Sequence, residues 1–372
     1  MNQYVFEFNQ YINQPQIERS FGILGDKGRR SKFGEQTGYF KRLLEEAEKI
    51  GLDAFVFTDF SKNGTIGWKF RDGQWISEKR GLPKVFYNRS FRVRKYMEGK
   101  SSTKYLAELG CIPLNSANFR KLALDKHLTY ESLVNEDLGE LGLPYTEKYT
   151  DEGLVPFLQQ RPKAILKPRF GSGGKGIISV TKNGKSYELV YEDKSITCSE
   201  DQLQDRIKSI RERMRTLSRR YIVQEKIALP KYQNSVFDVR VIYQKGSDGK
   251  PLRTGMAART AAPNRITANL HQGGGKAPLS SILETLFNQD MKGPIAESIR
   301  AYAKRLFTIL ENKVGPIGEV GMDFLIDQNG KIHLIEVNSV PGRNLFKILP
   351  DIREAAIKRP VEYAKYLLET HK

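Results

Sequence analysis

The stretch GEVGMDFLIDQNGKIHLIEVNSVPG, residues 318–342, carries carboxylates and an amide at a spacing that could hold a metal ion. Two β-prone runs flank Asn329-Gly330, a dipeptide that favours a two-residue hairpin loop. Paired outward from that loop, Asp327 faces Ile332, Leu325 faces Leu334 and Asp323 faces Glu336. Asn338 follows two residues after Glu336 and shares its face. The other face takes Met322, Phe324, Ile326, His333, Ile335 and Val337 and is mostly apolar. A longer loop, Asn329 to Ile332, would set Glu336 diagonal to Asp323 and keep both on one face. Carboxylates opposed across strands repel, so this pair calls for a proton or a cation between them. Two carboxylates and an amide oxygen form an all-oxygen set suited to Mg²⁺, which is normally completed by water and phosphate oxygens. The pattern therefore points to a nucleotide. The competing reading is a solvated hairpin with incidental acids.

A second stretch, AILKPRFGSGGKGIISV, contains Gly171, Gly173 and Gly176 in the order G-x-G-x-x-G. A dinucleotide-binding loop leads into a helix, whereas IISV continues as a strand, and Ile177 stands where a Walker-A lysine must be. Strand, glycine loop, strand fits better: a flexible hairpin laid over phosphates, whose backbone N–H groups approach anionic oxygens closely. Lys167, on the entering strand, supplies a point charge. The alternative is an ordinary surface hairpin.

The remaining chain must position these two stretches. Residues 1 to about 20 read as an irregular lead-in, followed by FGILGDKGRR, an apolar run that ends in a basic loop. A helix over residues 35–50, with Phe40, Leu43, Leu44 and Ala47 at helical spacing, precedes the buried-type strand GLDAFVFTDF. GWKFRDGQWI reads as a hairpin turning at Asp72-Gly73. PKVFYNRS is a strand ending in Asn88 and Arg89, either ligand-facing or a structural pair. One helix covers residues 118–133, including Lys126. A basic helix covers 202–220, with Ile207, Ile210, Met214 and Leu217 as its apolar stripe. YIVQEKI and FDVRVIYQ are strands, the latter with Asp238 and Arg240 on one face. Helices over 295–311 and 352–368 complete the pattern.

Composition sets bounds. At 372 residues, 39% hydrophobic and 28% charged, the chain is long enough for two or three units with real cores. No apolar run is long enough to cross a bilayer, and MNQYVFEFNQ lacks the features of a signal peptide. Cys111 and Cys198 suggest neither a disulfide framework nor a zinc site, which makes a reducing cytoplasm the default. The net charge of +18 admits a polyanion, a membrane surface or an anionic substrate, but no nucleic-acid-binding motif accompanies it.

Taken in order, DK, LKPRFGSGGKG, VQEKI, DVR, NLHQGG, GMDF and EVNSVPG resemble an ATP-grasp enzyme over residues 118–345. The carboxyl half is similar to RimK-like ligases. FGIL, YNR and WI resemble the YheC/YheD branch, described as endospore coat-associated. The resemblance implies an α+β ATP-grasp fold, two α+β subdomains clasping ATP, preceded by a small α/β domain. The expected divisions are 1–115 for that domain and 116–372 for the ATP-grasp part, split near 225. It implies that Lys126 and Lys167 contact ATP phosphates under the loop of Gly171, Ser172, Gly173, Gly174 and Gly176. Gln224, Glu225, Lys226 and Ile227 would line the adenine pocket. Asp323, Glu336 and Asn338 would bind Mg²⁺, with Mn²⁺ as an alternative ion. Arg240, Arg259 and Asn269 would stabilise the transferred phosphoryl group. The implied reaction is ATP-dependent ligation through an acyl phosphate. Its partners are a small-molecule or peptide carboxylate and an amine or thiol. The alternative is a basic, ATP-binding coat protein that holds a polyanion. The implied location is the cytoplasm, with the endospore coat as the branch's association.

Overall fold

The computed structural model describes residues 15–91, 100–171, 173–262 and 274–371. Three sheets follow one another along the chain. The first comprises β1 (Ile17–Leu24), β2 (Ala54–Phe57), β3 (Phe60–Ser61), β4 (Gly64–Arg71), β5 (Gln74–Arg80), β6 (Leu82–Asn88) and β7 (Ile112–Pro113). β1 is central and parallel to both β2 and β6. Its apolar end and all of β2 are buried, as continuous apolar runs in parallel strands should be. β1 begins inside the stretch read as an irregular lead-in. β4 and β5 turn at Asp72 (φ 50°) and Gly73 (φ 78°), the twist-matched hairpin that this dipeptide favours. Helix Thr37–Lys49 lays Phe40, Leu43, Leu44 and Ala47 on the sheet.

The second sheet is antiparallel: β8 (Thr146–Lys148), β9 (Lys163–Pro168), β10 (Ile178–Asn183), β11 (Ser186–Tyr191), β12 (Lys194–Ser199) and β13 (Tyr221–Glu225). The glycine loop joins β9 to β10, strand to strand. The basic helix is shorter than its stripe suggests. It spans Glu200–Arg213, buries Leu203, Ile207 and Ile210, and stops before Arg215, whose φ is 55°. Leu217 lies beyond it and is exposed.

The third sheet has β14 (Phe237–Lys245), β15 (Pro251–Thr260), β16 (Gly275–Ala277), β17 (Glu319–Ile326) and β18 (Ile332–Asn338), again antiparallel. Helix Gln289–Val314 covers one face through Ile295, Ile299, Ala303, Leu306, Phe307 and Leu310. The helix expected over 118–133 is two helices, Ala117–Leu124 and Lys126–Leu133. Asp125 between them leaves helical geometry, and its Oδ1 accepts the N–H groups of His127 and Leu128 as an N-cap. The carboxyl-terminal helix, Pro350–Thr370, returns to the first sheet, where Ile357, Val361, Ala364 and Leu368 share a core with Phe21, Phe40 and Val56.

One buried cluster fastens the first sheet to the third. Glu319, at the start of β17, is fully buried. Its carboxylate accepts from Tyr87 Oη (2.5 Å), Arg89 Nη1 (3.2 Å), Gln244 Nε2 (2.6 Å) and Arg343 Nη2. Asn88 and Arg89 are thus structural: Arg89 also donates to Gln36 and to the Pro341 carbonyl, and Asn88 to Thr103. Removing one partner of a buried pair leaves the other charge uncompensated and costs about 3–5 kcal/mol. Glu319→Leu strands two guanidiniums, so its urea midpoint should fall by the equivalent of at least that much. A midpoint within experimental error of wild type would show that the cluster does not hold the sheets together.

Candidate functional site

The hairpin sets the site. Its turn is one residue longer than the dipeptide suggests: Gly330 N–H donates to Asp327 O and Asp327 N–H to Lys331 O. Gly330 has φ +83°, the left-handed residue of a three-residue hairpin loop. This shifts the register near the turn, so that Phe324 faces Leu334 and Leu325 faces His333. A bulge at Ile335 then absorbs one residue, and Asp323 faces Glu336 after all. Ile332 and Leu334, expected beside the carboxylates, are instead buried with Met322, Phe324, Ile326 and Val337. His333 leaves that apolar face, and its Nε2 lies 3.1 Å from Asp327 Oδ2. Asn338 faces Gly321, where an added Cβ would sit 3.5 Å from Asn338 Cβ and 3.4 Å from Arg240 Cδ. Asp323, Glu336, Asn338 and Arg240 therefore share one face.

Asp323 also faces Arg240 across β14. Both of its oxygens are taken: Arg240 donates through Nε and through Nη2 (2.7 Å), and Arg259 Nη2 lies 2.8 Å from Oδ2. Arg259 Nε donates to Asp238 Oδ1 at 2.6 Å. Burial alone would raise Asp323, but the two guanidiniums outweigh it and hold the carboxyl below the ordinary range. Asp238 shifts upward, because burial and the charge of Asp323 outweigh Arg259. Glu336 has Lys126 Nζ at 3.2 Å. The protein's own cations thus compensate both carboxylates, and the opposed pair does not by itself require a metal, contrary to the sequence argument. The donor chemistry still fits Mg²⁺. All donors are oxygen, and the Glu336 side chain keeps 22% exposure toward the cleft. Among the described residues no three His, Cys, Asp or Glu side chains come together to hold a metal, here or elsewhere, so the amide oxygen of Asn338 would have to complete the set.

The glycine loop approaches from the second sheet. Lys126 Nζ donates to Gly171 O at 2.6 Å, and Arg169 forks onto Asp125 with two bonds of 2.6 Å. Gly171, Gly173, Gly174 and Gly176 all have positive φ. A Cβ at Gly176 would lie 2.7 Å from Tyr221 Oη, so side chains are excluded there by space as well as by conformation. Lys167 is buried and donates to Gln224 Oε1 at 2.7 Å; Gln224 in turn donates to Thr146 Oγ1 at 2.8 Å. Burial, then the nearby charge of Lys126, pulls Lys167 down to about 8 against the attraction of Glu336 and Asp323.

A narrow cleft opens between the two sheets. Leu143, Leu334 and Ile335 give it apolar walls, and Lys126, Gln224 and Glu336 a polar end. Glu225 and Lys226 run on past it. Lys226 Nζ donates instead to Ser179 Oγ, and Ile227 follows, half-buried, beyond the strand. Ser172 and Asn269 lie outside the described residues. Leu143, Tyr130 and Ile335, which also line the cleft, carry no motif of their own. The one signal for Tyr130 is its place one helical turn after Lys126.

Residues 115–367 match the family model described as YheC/D like ATP-grasp. The chain is 27% identical over 348 residues to Endospore coat-associated protein YheD of Bacillus subtilis (strain 168), covering 91% of this chain and 75% of that protein. It is 22% identical over 343 residues to Endospore coat-associated protein YheC of the same organism, covering 89% and 93%. Among solved structures, D-alanyl-alanine synthetase A from Vibrio cholerae O1 biovar eltor str. N16961 superposes with a TM-score of 0.59 at 14% identity, covering 96% of this chain and 98% of that one. That likeness is one of fold.

Lys167 gives the site a pH signature. In the fold it titrates near 8, and in the unfolded chain near the ordinary lysine value of 10.5. Between those values unfolding takes up a proton at this residue, so its contribution to stability rises with pH. Below the lower value the group is charged in both states and its burial cost is felt in full. Urea unfolding of wild type and Lys167→Met from neutral to alkaline pH should show wild type gaining on the variant through that window. A difference that stays constant with pH would show that the ammonium is not desolvated.

Proposed function

This chain belongs to the YheC/D like ATP-grasp family, and we propose that it works as an ATP- and Mg²⁺-dependent ligase joining a carboxylate to an amine or thiol. The reading rests on one observation. A single ammonium, Lys126 Nζ, reaches both the Gly171 carbonyl of the glycine loop and the Glu336 carboxylate of the hairpin. A phosphate chain lying between loop and hairpin would meet Lys126 and Lys167 together. The apolar walls would take the adenine, and Gln224 would orient Lys167 toward the phosphates.

Asp323, Glu336 and Asn338 would hold Mg²⁺, or Mn²⁺ in its place, and the ion when bound neutralises charge on the phosphate oxygens. A substrate carboxylate oxygen attacks the γ-phosphorus, the bond to the bridging oxygen breaks, and ADP leaves. The nucleophile then attacks the acyl carbon, the carbon–oxygen bond to phosphate breaks, and the nucleophile's proton passes to solvent. The obstacle in the first step is bringing two anions together. Arg240 and Arg259, with Asn269, would meet the charge on the transferring group, and the low-dielectric surroundings strengthen each contact. Residues 1–115 would form the small leading domain, 116 to about 225 the half with the glycine lid, and the remainder the half with the metal face.

A second reading is favoured by the coat-associated names of the relatives: a protein of the endospore coat that binds ATP without turnover and holds a polyanion. ADP release separates the two. Wild type should release ADP in Mg-ATP when a suitable acid and amine are supplied, and Mg-ATP at 100 times its dissociation constant should stabilise it by about 2.7 kcal/mol. Glu336→Gln keeps the shape and removes the carboxylate's charge. It should fold, and it should lose nearly all ADP release. Near-wild-type turnover in that variant would remove the hairpin from the active site.

A further inference from the structure

The ligase reading uses the Lys167 ammonium and leaves open what holds it in place. Lys167 is buried, and its ammonium donates to a neutral partner, Gln224 Oε1, at 2.7 Å. Lys126, on helix Lys126–Leu133, repels it, while Glu336 on β18 and Asp323 on β17 attract it through their charge. A buried ammonium bonded to an amide depends on that amide being turned the right way round, because only one of its two ends can accept.

The chain fixes that orientation. β8 pairs with β13 so that Thr146 faces Gln224. Lys167, on β9 at the other side of β13, stands opposite Ile222, two residues before Gln224 and on the same face. Thr146 and Gln224 are buried like Lys167. Thr146 Oγ1 lies 2.8 Å from Pro144 O and 2.8 Å from Gln224 Nε2. A hydroxyl has one proton, and a carbonyl oxygen can only accept. The Thr146 proton therefore goes to Pro144 O, and Oγ1 meets Gln224 with lone pairs alone. It can take only the NH₂ end of the amide. That turns Oε1 toward Lys167, whose N–H groups can only donate. Lys167, Gln224, Thr146 and Pro144 O thus form a chain of hydrogen bonds that runs one way.

The far end of this chain is placed by the third sheet. Two residues before Pro144, the Gly142 N–H donates to Ile332 O at 2.8 Å, and Gly142 O accepts from the Leu334 N–H at 2.9 Å. These bonds seat the segment that leads into β8 on the edge of β18. A Cβ at Gly142 would collide with the His333 ring, so the approach needs a glycine. β18 also carries Glu336. The carboxylate on one wall of the cleft and the ammonium on the other are therefore both located from the same strand.

We propose that Thr146 is a positioning residue: its hydroxyl turns the Gln224 amide and so holds the Lys167 ammonium where the nucleotide phosphates meet it. The nucleotide in this statement rests on the ligase reading, whereas the hydrogen-bond chain does not.

Double-mutant cycles test it. Thr146→Val replaces the hydroxyl by a methyl group, Thr146→Ser keeps it, and each is made alone and beside Lys167→Met. Calorimetric titration reads Mg-ADP affinity, and urea midpoints are read without nucleotide. Thr146→Val should weaken Mg-ADP binding about tenfold when Lys167 is present, as for loss of a hydrogen bond to a charged group. Beside Lys167→Met it should change affinity by no more than about twofold, because the two substitutions break one chain. Thr146→Ser should restore wild-type binding. Thr146→Val should also lower the urea midpoint more in wild type than beside Lys167→Met. Thr146→Ala removes the same hydroxyl and carries the test if Thr146→Val does not fold. If Mg-ADP binds and Thr146→Val weakens it equally in both backgrounds, or if Thr146→Ser binds no better than Thr146→Val, Thr146 is only structural and the proposal is overturned. If wild type does not bind Mg-ADP, coupled midpoints uphold the hydrogen-bond chain and remove the nucleotide reading, and uncoupled midpoints remove both.

Discussion

A carboxylate with no exposure is tolerable only if its neighbours replace the water it has lost. Glu319 meets that condition with donors drawn from β6, β14 and the loop after β18. Tyr39 adds a ring face 4.3 Å from the Arg343 guanidinium and 5.3 Å from that of Arg89. Asn115 closes the arrangement by donating to the backbone carbonyls of Glu319 and Ser339. Because side chains alternate along a strand, Glu319 lies on the same face of β17 as Gly321 and Asp323. The anchor that ties the first sheet to the third is therefore on the strand face that presents the candidate metal ligand.

The same alternation explains what was legible in the sequence. Period two placed Glu336 and Asn338 on one face of their strand, the two-residue loop placed Asp323 beside them, and that face is the observed one. Loop length was not legible, because Asn-Gly serves both two- and three-residue loops. Nor was the bulge at Ile335, which depends on cross-strand packing. Two departures from the simplest hairpin cancelled at the carboxylates and left their mark only on Ile332, Leu334 and His333. The break at Asp125 was hidden by the apolar residues on either side of it, although an aspartate before a helical run is a standard N-cap signal. Leu217 continued a stripe by number, but the chain had already left the helix.

What no local pattern could supply was the company each charge keeps. Arg240 and Asp238 were legible as neighbours on one face, but Arg259 came from the next strand and Lys126 from a helix far upstream. Together they turn a pair of repelling acids into a compensated lattice. Glu319 looked like an ordinary strand residue, since its partners lie far from it in sequence. The surplus of basic residues was equally mute. Part of it is spent internally on Glu319, Asp323 and Asp125.

The return of helix Pro350–Thr370 to the first sheet bears on how the chain reaches this state. Phe21, Phe40 and Val56 stand far ahead of Ile357, Val361, Ala364 and Leu368 in the chain, yet these four complete the core they occupy. A nascent chain therefore carries this core incomplete until helix Pro350–Thr370 has been made. Domains usually fold as units from the amino terminus during translation. Here the first sheet must wait for helix Pro350–Thr370, so its core closes only after the two intervening sheets have been made.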